Sequence, residues 1–408
     1  MKRLIKIIIN GILFTLMFSL CACGERGERP AGEKPVQTVK PDNNGQIPAA
    51  SEPVDTAKEP DETESPVIPK STPEPEFRPP VLLSPEQGRE VSLLNEEMTG
   101  WFKNYKPASL DKFCDFTEKC EPVPIKFKWN SGGADYCHLF VSENEDMTSP
   151  LVILTLDDEA NAEDLLPGRT YYWRVESSKD GKNEKSEIRT FSTLDAPRTV
   201  YIPDVSNVRD LGGKTSSDGR KTRFGIIYRG ADFYYIKEKG IHKAVDILGI
   251  KTELDLRSRV TGGKSPLGDG IKYLSVTGPY YSGVFADSAK AELADEIRAF
   301  ADGSNFPIYF HCSLGRDRTG TLAFLLLALC GVSEEEIKVD YEISAFSDLG
   351  KYEDRAAPSY MVTQLDAFKN QLMKDKTKTL AENTEDFLIG IGLTREELDA
   401  VKNNILEG

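Results

Sequence analysis

The sequence has few of the residues that bind metals. It contains three histidines in 408 residues, His138, His242 and His311, and they are far apart in the chain. None of the seven cysteines forms, with another cysteine or a histidine, a pair with the spacing of a zinc site. We therefore expect no metal centre, and nothing in the sequence calls for a cofactor.

Positive charge is also scarce. The chain has 51 Lys and Arg against 66 Asp and Glu, which gives a formal net charge of −15. Proteins that bind nucleic acid through the phosphate backbone usually carry a basic surface. The charge balance therefore argues against a nucleic-acid partner, and any anion site must be a local positive pocket.

Residues 24–79 almost lack aromatic side chains and are rich in Pro, Glu, Lys, Thr and Ser. Such a segment buries too little apolar surface to offset the entropy lost on ordering. We expect a disordered, charged tether.

Residues 1–23 have the layout of a targeting segment, with a basic start and an apolar core over 7–20. The run Leu20-Cys21-Ala22-Cys23 resembles a bacterial lipobox, in which cleavage precedes Cys23 and a lipid is attached to its sulfur. The alternative is an ordinary signal peptide or a short membrane anchor. The lipobox predicts a protein outside the cytoplasm, anchored by lipid to the bacterial cell membrane.

Residues 80–196 alternate in a way that is typical of strands. Ile125, Phe127 and Trp129 are separated by lysines, and the run 167–175 begins with a Pro-Gly turn and continues into Tyr-Tyr-Trp-Arg-Val. Short alternating strands between turns predict an all-β sandwich with the tryptophans in its core. The 167–175 run resembles a fibronectin type III or immunoglobulin-like module.

Residues 92–119 interrupt this pattern and are predicted to be a helical insertion. Cys114 and Cys120 are close in sequence at its end. Outside the cytoplasm two such cysteines can form a disulfide, and the sequence leaves open whether they do. Cys137 is predicted to be buried.

One stretch further on combines apolar elements with polar residues. Residues 306–310 form a short apolar run that predicts a buried strand, and 319–330 form an apolar run, stopped by Gly331, that predicts a buried helix. Between them lie a cysteine, five residues, an arginine and a threonine.

This spacing suits the binding of a phosphate group. A loop that closes onto a helix N-terminus directs backbone N–H groups and the positive end of the helix dipole at one point. Cys312 would lie at the floor of the loop, where the same field stabilises a thiolate. Arg318 would bind two phosphate oxygens as a planar fork, and Thr319 would donate its hydroxyl to the sulfur.

The run 311–320, His-Cys-Ser-Leu-Gly-Arg-Asp-Arg-Thr-Gly, resembles the signature of the cysteine-dependent protein tyrosine phosphatase superfamily, and in particular its bacterial tyrosine/lipid phosphatase branch. A second run, 207–213, is similar to the Asn-Phe-Arg-Asp-Leu-Gly-Gly motif of that branch. The resemblance spans about residues 198–405. Arg316 stands where the branch usually has lysine, which puts a phosphoinositide preference in doubt.

The order of elements from Pro197 onward predicts an α/β domain with a central mixed sheet flanked by helices. The predicted organisation is therefore a lipoprotein signal at 1–23, a tether at 24–79, a β-sandwich at 80–196 and a phosphatase domain at 197–408.

The resemblance implies that Cys312 is the nucleophile and forms a cysteinyl-phosphate. Arg318 and the loop N–H groups would stabilise the transition state, with Thr319 in support. The candidates for substrate binding are the neighbouring loop residues and two residues of the second motif: His311, Ser313, Leu314, Gly315, Arg316, Arg209 and Asp210. For His311 the other interpretation is that it hydrogen-bonds to backbone and orders the loop, and for Arg209 and Asp210 it is that they brace the loop.

A general acid must protonate the leaving oxygen. The branch implies that this is Asp317, inside the loop. Classical relatives use an aspartate on a separate mobile loop, and Asp287 is the alternative here.

The leading prediction is a protein-tyrosine phosphatase, whose partner is a phosphotyrosine protein or another phosphomonoester. The first alternative is a phosphoinositide or inositol-phosphate phosphatase, which a surplus of pocket cations would mark. The second is a surface binding protein with an inactive phosphatase-like domain.

Overall fold

A computed structural model describes residues 76–105, 118–258, 262–347 and 360–408. The predicted signal segment with Cys23, and all but the last few residues of the predicted tether, lie outside these ranges. Within them, no helix is both long enough and apolar enough to cross a bilayer.

Residues 81–193, here called the N-terminal region, consist mainly of strands. One sheet has the order β1-β3-β6, and a second has the order β2-β9-β7-β4-β5 with β8 paired to β7. Neighbouring strands are antiparallel except β2 and β9, which are parallel. In chain order the elements are β1 (Val81–Ser84), β2 (Arg89–Val91), α1 (Glu96–Lys103), β3 (Ile125–Asn130), β4 (Tyr136–Ser142), β5 (Leu151–Thr155), β6 (Glu159–Ala162), β7 (Thr170–Lys179), β8 (Lys182–Lys185) and β9 (Arg189–Thr193).

The two sheets of the N-terminal region share one apolar core. Ile125, Phe127 and Trp129 of β3 are buried while the residues between them are exposed, because successive side chains of a strand point to opposite faces. They pack against the second sheet, where Trp173 of β7 and Phe191 of β9 are buried. The alternation seen in the sequence therefore places the tryptophans between the sheets.

Residues 197–408, here called the C-terminal region, surround a five-stranded sheet of order β10-β11-β14-β12-β13. β10 is antiparallel to β11 and the other pairs are parallel, so the sheet is mixed, as predicted. The elements are β10 (Arg209–Asp210), β11 (Ile227–Gly230), α2 (Glu238–His242), β12 (Thr252–Asp255), β13 (Lys272–Ser275), α3 (Lys290–Ala301), β14 (Ile308–His311), α4 (Asp317–Leu329), α5 (Glu334–Glu342), α6 (Tyr360–Leu372), α7 (Leu380–Gly390) and α8 (Arg395–Ile405), with short 3₁₀ turns at Tyr281–Phe285, Asp287–Ala289, Gly303–Asn305 and Ile343–Phe346.

Helices cover the sheet of the C-terminal region. α4 is buried from Thr319 to Leu329, and its apolar side chains share a core with α3, α7 and α8. The sequence places this helix within two residues of its observed bounds. The short helix α2 ends at His242, and a π-helical turn, Lys243–Ile247, follows it.

The described residues of the insertion contact the C-terminal region. Met98 and Trp101 of α1 are buried in a cluster with Val339, Ile343 and Phe346 of the C-terminal region. The Lys119 N–H donates to the Phe346 carbonyl at 2.6 Å, so the insertion is bound to the C-terminal region through both backbone and side chains.

The described cysteines of the insertion and the N-terminal region are buried. The Cys120 thiol donates to the Ile343 carbonyl at 3.2 Å. Its suggested disulfide partner, Cys114, lies outside the described residues, so that pairing remains a prediction. Cys137 is buried in the core between the two sheets.

Candidate active site

The loop of residues 312–316, here called the phosphate loop, joins the end of β14 to the start of α4. β14 is the central strand of the sheet and is parallel to both neighbours, β11 and β12. Ligands of α/β proteins bind at the carboxyl ends of such strands, and the phosphate loop lies at that edge, at a helix N-terminus.

Gly315 is needed for the path of this loop. Its φ is +71°, and a Cβ built on it would lie 2.2 Å from the carbonyl carbon of Gly230. Any larger residue would therefore collide with the end of β11 and would also be strained in the left-handed region.

Cys312 and Arg318 lie at opposite ends of the phosphate loop. Cys312 is 6% exposed and directly follows β14. Arg318 is in the first turn of α4, where its Nη1 donates to the Arg257 carbonyl at 3.4 Å. Its guanidinium carbon lies 6.0 Å from the centre of the Tyr280 ring.

The phosphate loop is held from behind by two side chains of neighbouring segments. Asn207 Nδ2 donates to the Leu314 carbonyl at 3.0 Å, and Arg229 Nη2 donates to the Gly315 carbonyl at 2.9 Å. The C=O and N–H of a trans peptide point in opposite directions, so the N–H groups of these two peptides point away from Asn207 and Arg229.

A buried carboxylate holds the bracing arginines. Asp340 of α5 contacts Arg229 at 2.6 Å, Arg209 at 3.2 Å and Lys214 at 3.9 Å. Burial alone would raise the pKa of Asp340, but these cations lower it to about 2. Burial lowers the pKa of Arg229 to about 10 and also lowers that of Lys214.

Arg209 and Asp210, predicted either to line the pocket or to brace the loop, lie behind the loop. Both are at most 1% exposed. Arg209 donates to Asn207 Oδ1 at 2.6 Å, and Asp210 pairs with Arg198 at 2.9 Å. Their charged groups contact other residues behind the loop. Their burial there does not fit direct contact with substrate.

His311 also orders the loop rather than lining it. It is fully buried, with Nε2 2.9 Å from Glu253 Oε1 and Nδ1 3.2 Å from the Cys312 carbonyl. With Asp255, these residues bring three potential metal-ligating atoms within 4.8 Å. Asp255 already accepts from Arg257 at 2.8 Å and from the Tyr273 hydroxyl at 2.8 Å, so no metal is needed to balance its charge.

The two candidate acids have different surroundings. Asp317 begins α4, is 33% exposed, and accepts hydrogen bonds at Oδ1 from the Tyr281 hydroxyl and from Arg316 Nε. Asp287 is 94% exposed and pairs with Lys290 at 2.7 Å, whose hydrogen bond lowers the pKa of Asp287. Asp317 is in the first turn of α4, directly after the phosphate loop, whereas Asp287 is at the surface.

The remaining predicted residues lie around the mouth of the loop. Leu314 is 39% exposed at the rim, and the Ser313 carbonyl accepts from the Asp232 N–H at 3.4 Å. The Thr319 hydroxyl is buried and makes no hydrogen bond within the described residues. It is therefore available to the sulfur or to a bound phosphate.

Sequence reasoning missed several residues of the site, namely Arg229, Asp340, Tyr281 and Glu296. Glu296 of α3 is buried, and burial raises the pKa of its carboxyl well above its usual range. It interacts electrostatically with Arg318. Only Arg229 left a signal, because it lies near the end of the run 225–230, whose apolar residues indicate a strand.

Comparison with known proteins gives a family for this arrangement. The tyrosine phosphatase family matches residues 200–407, which is half of the chain and contains every residue of the phosphate loop. The protein therefore belongs to the tyrosine phosphatase family.

Two relatives carry the same name. A putative tyrosine-protein phosphatase of Cupriavidus necator is 30% identical over 165 residues, which are 34% of this chain and 59% of that protein. A tyrosine-protein phosphatase of Nostoc commune is 32% identical over 165 residues, 37% of this chain and 52% of that protein. The chain thus spans only a little over half the length of these relatives.

Among solved structures, the core catalytic domain of the PP-IP phosphatase Siw14 from S. cerevisiae, in complex with citrate, is similar to 36% of this chain and 93% of that one. The identity is 20% and the TM-score 0.24.

Proposed function

We propose that the protein is a cysteine-dependent phosphomonoester hydrolase that acts on phosphotyrosine proteins. The observation that carries this proposal is the phosphate loop: Cys312 follows the central strand, Arg318 stands in the first turn of the helix behind it, and the loop carbonyls are bound on the outer side. Helix N-termini with inward N–H groups bind phosphate dianions.

In the first step the Cys312 thiolate attacks phosphorus and forms the S–P bond. The bond between phosphorus and the ester oxygen breaks, and Asp317 gives its proton to that oxygen, which leaves as an alcohol or phenol. Arg318 and the loop N–H groups stabilise the equatorial oxygens as charge shifts.

In the second step water attacks the cysteinyl-phosphate. Asp317, now a carboxylate, takes a proton from the water, the S–P bond breaks, and inorganic phosphate and the Cys312 thiolate are released. The aspartate and cysteine thus return to their starting states.

The charges around the loop favour a substrate with one phosphate over an inositol polyphosphate. Arg257 is neutralised by Asp255 at 2.8 Å and by Asp232 at 2.8 Å, and Arg316 Nε contacts Asp317 at 3.1 Å. A polyphosphate needs a surplus of cations, and these arginines are balanced by carboxylates. The exposed Tyr280 and Leu314 instead offer apolar surface to an aromatic ring.

The proposed setting of this activity is the outer face of the bacterial cell membrane. It rests on the lipobox at Cys23 and on the composition of residues 24–79, both outside the described residues. We propose that the N-terminal region is a fibronectin type III or immunoglobulin-like sandwich. We expect no nucleic-acid partner, because of the net charge of −15.

We predict that Cys312→Ser reduces hydrolysis of p-nitrophenyl phosphate by at least about 10³-fold, because the nucleophile is lost. The matched control is Cys330→Ser. Cys330 is buried at the far end of α4, where burial raises the pKa of its thiol to about 12. The Cys330→Ser variant should keep wild-type turnover of p-nitrophenyl phosphate.

The full chain, purified in detergent, should then be tested on phosphotyrosine peptides, phosphoserine peptides and phosphoinositides. Faster turnover of phosphotyrosine supports the proposal. Faster turnover of phosphoinositides would overturn the proposed substrate and favour a lipid phosphate instead. Turnover that survives in Cys312→Ser would refute the mechanism.

A further inference from the structure

Tyr281 is held in an unusual backbone conformation beside α4. Its φ is +48°, a region that bulky residues rarely adopt. Its N–H donates to Thr321 Oγ1 at 3.0 Å, and that hydroxyl donates to the Asp317 carbonyl at 2.9 Å. The strained residue is thus fixed to the first turn of α4, next to Asp317.

Two tyrosine hydroxyls form a chain that ends on Asp317. The Tyr281 hydroxyl donates to Asp317 Oδ1 and is also hydrogen-bonded to the Tyr341 hydroxyl. Tyr281 is 8% exposed and Tyr341 is 1% exposed, whereas the Asp317 side chain is 33% exposed. The chain therefore runs from the interior to the rim of the phosphate loop.

The inner tyrosine, Tyr341, is itself fixed. A Cβ built on Gly320 of α4 would lie 2.7 Å from the Tyr341 ring, so the ring packs directly on the helix backbone. Burial, followed by the neighbouring Tyr341 and Asp317, raises the pKa of Tyr281 far above its ordinary value. The phenol therefore remains a hydrogen-bond donor across the working pH range.

We propose that Tyr281, supported by Tyr341, is the positioning residue for the general acid Asp317. This rests on the proposed phosphatase function. Tyr281 and Arg316 both donate to Oδ1, so the carboxyl group is fixed in rotation and Oδ2 is the oxygen that presents the proton to the leaving group. When Asp317 has given up that proton, the same two donors hold the carboxylate in place for the attack of water.

Positioning of an acid has a distinctive kinetic effect. Poor leaving groups need the proton, whereas p-nitrophenolate leaves without much help. In a cysteine-dependent phosphatase, kcat/KM reports the steps through expulsion of the leaving group. A structural defect would lower kcat/KM for all substrates alike.

The test is Tyr281→Phe in the full chain, which keeps the ring and removes the hydroxyl. We expect kcat/KM to fall by about tenfold for phenyl phosphate and by less than about threefold for p-nitrophenyl phosphate. Tyr136→Phe, an exposed tyrosine of the N-terminal region, is the control and should match wild type.

A double-mutant cycle with Asp317→Asn makes the test specific. If Tyr281 acts through Asp317, then Tyr281→Phe has no further effect on phenyl phosphate once Asp317 is replaced. Additive losses, equal losses on both substrates, or no loss would overturn the proposal. If Tyr281→Phe does not fold, Tyr341→Phe takes its place and should give a smaller loss with the same preference for phenyl phosphate.

The two proposals fail in different ways. If activity depends on Cys312 but is unchanged by Tyr281→Phe and Tyr341→Phe, the phosphatase function is supported and the positioning role is refuted. A wild-type protein that hydrolyses none of the phosphomonoesters removes both.

Discussion

The N-terminal and C-terminal regions bury different kinds of side chain. The core between the two N-terminal sheets is aromatic and aliphatic, and its buried polar residues are hydroxyl-bearing. Within the described residues 76–194, no charged side chain is buried. The described part of the C-terminal region, in contrast, buries four arginines and lysines, six carboxylates and a histidine; these are Arg198, Arg209, Lys214, Arg229, Asp210, Glu253, Asp255, Glu296, Asp340, Glu342 and His311.

This difference shows what the second region requires beyond stability. Burying a charge is expensive unless it is paired, and a buried pair often contributes less than an apolar replacement would. Polar and charged side chains are nevertheless buried behind the phosphate loop. Only directed donors such as Asn207 and Arg229 can bind particular loop carbonyls. The N-terminal region needs apolar side chains of the right size in an alternating pattern. The structure behind the phosphate loop needs donors that point at particular carbonyl groups.

The largest effect on the difference between the two regions is expected from removing the charge of Asp340, which lies at the centre of the buried cluster. Asp340→Asn leaves Arg209, Arg229 and Lys214 buried without their shared carboxylate. We expect unfolding of the C-terminal region to become easier by about 3–5 kcal/mol at neutral pH. Chemical denaturation measures it, with the exposed Asp218→Asn as the matched control.

The pH dependence of this effect has a definite sign. Because the pKa of Asp340 is lowered to about 2, its contribution to stability is present above the ordinary pKa of an aspartate and is lost as pH falls through about 2. The gap between wild type and Asp340→Asn should therefore close in strong acid. An equal gap at every pH would mean that the carboxylate charge does not hold the cluster together.

The same comparison explains what the sequence could predict. The N-terminal strand β3 and the helix α4 were predictable because their apolar periodicity is local. The candidate site from Cys312 to Thr319 could be proposed from the sequence because its residues are contiguous. Asp340 and Tyr281 were not, because a charge or a phenol that folds back from a distant segment looks, in sequence, like any other surface residue.

Two further gaps in the sequence-based prediction have a different origin. The helix α7, Leu380–Gly390, was overlooked although Thr379 and Glu382 form a capping box at its start; the polar residues of its first two turns hide the apolar face. For Arg209 and Asp210 the sequence left two roles open, because a motif match does not show on which side of the loop a residue lies. Only the fold shows that they lie behind the phosphate loop.

A second prediction concerns the contact between the insertion and the C-terminal region. Glu342 of α5 is fully buried beside the Tyr105 hydroxyl, and burial raises the pKa of Glu342 to about 7. A raised pKa means that stability is greatest below the ordinary pKa of a glutamate and is lost as pH rises through about 7. Glu342→Gln removes this loss.

Wild type should therefore be less stable at pH 8 than at pH 5.5 by a margin that Glu342→Gln reduces by on the order of 2 kcal/mol. Thermal unfolding at the two pH values measures it. Glu335→Gln, an exposed residue of the same helix, should leave the wild-type margin unchanged. A margin unaffected by Glu342→Gln would show that another group is responsible.

The smallest expected effect comes from Asp287, an exposed charge of the same C-terminal region. Its side chain is 94% exposed and paired with Lys290 at 2.7 Å, and exposed pairs of this kind contribute little. The hydrogen bond from Lys290 lowers the pKa of Asp287, so the group is ionised at neutral pH and has no proton to give. We expect Asp287→Asn to keep kcat/KM for phenyl phosphate within about twofold of wild type, whereas Asp317→Asn loses at least about a hundredfold. If Asp287→Asn instead slowed phenyl phosphate far more than p-nitrophenyl phosphate, the acid would be supplied by a mobile surface segment. The functional charges would then no longer be confined to the phosphate loop and the buried cluster behind it.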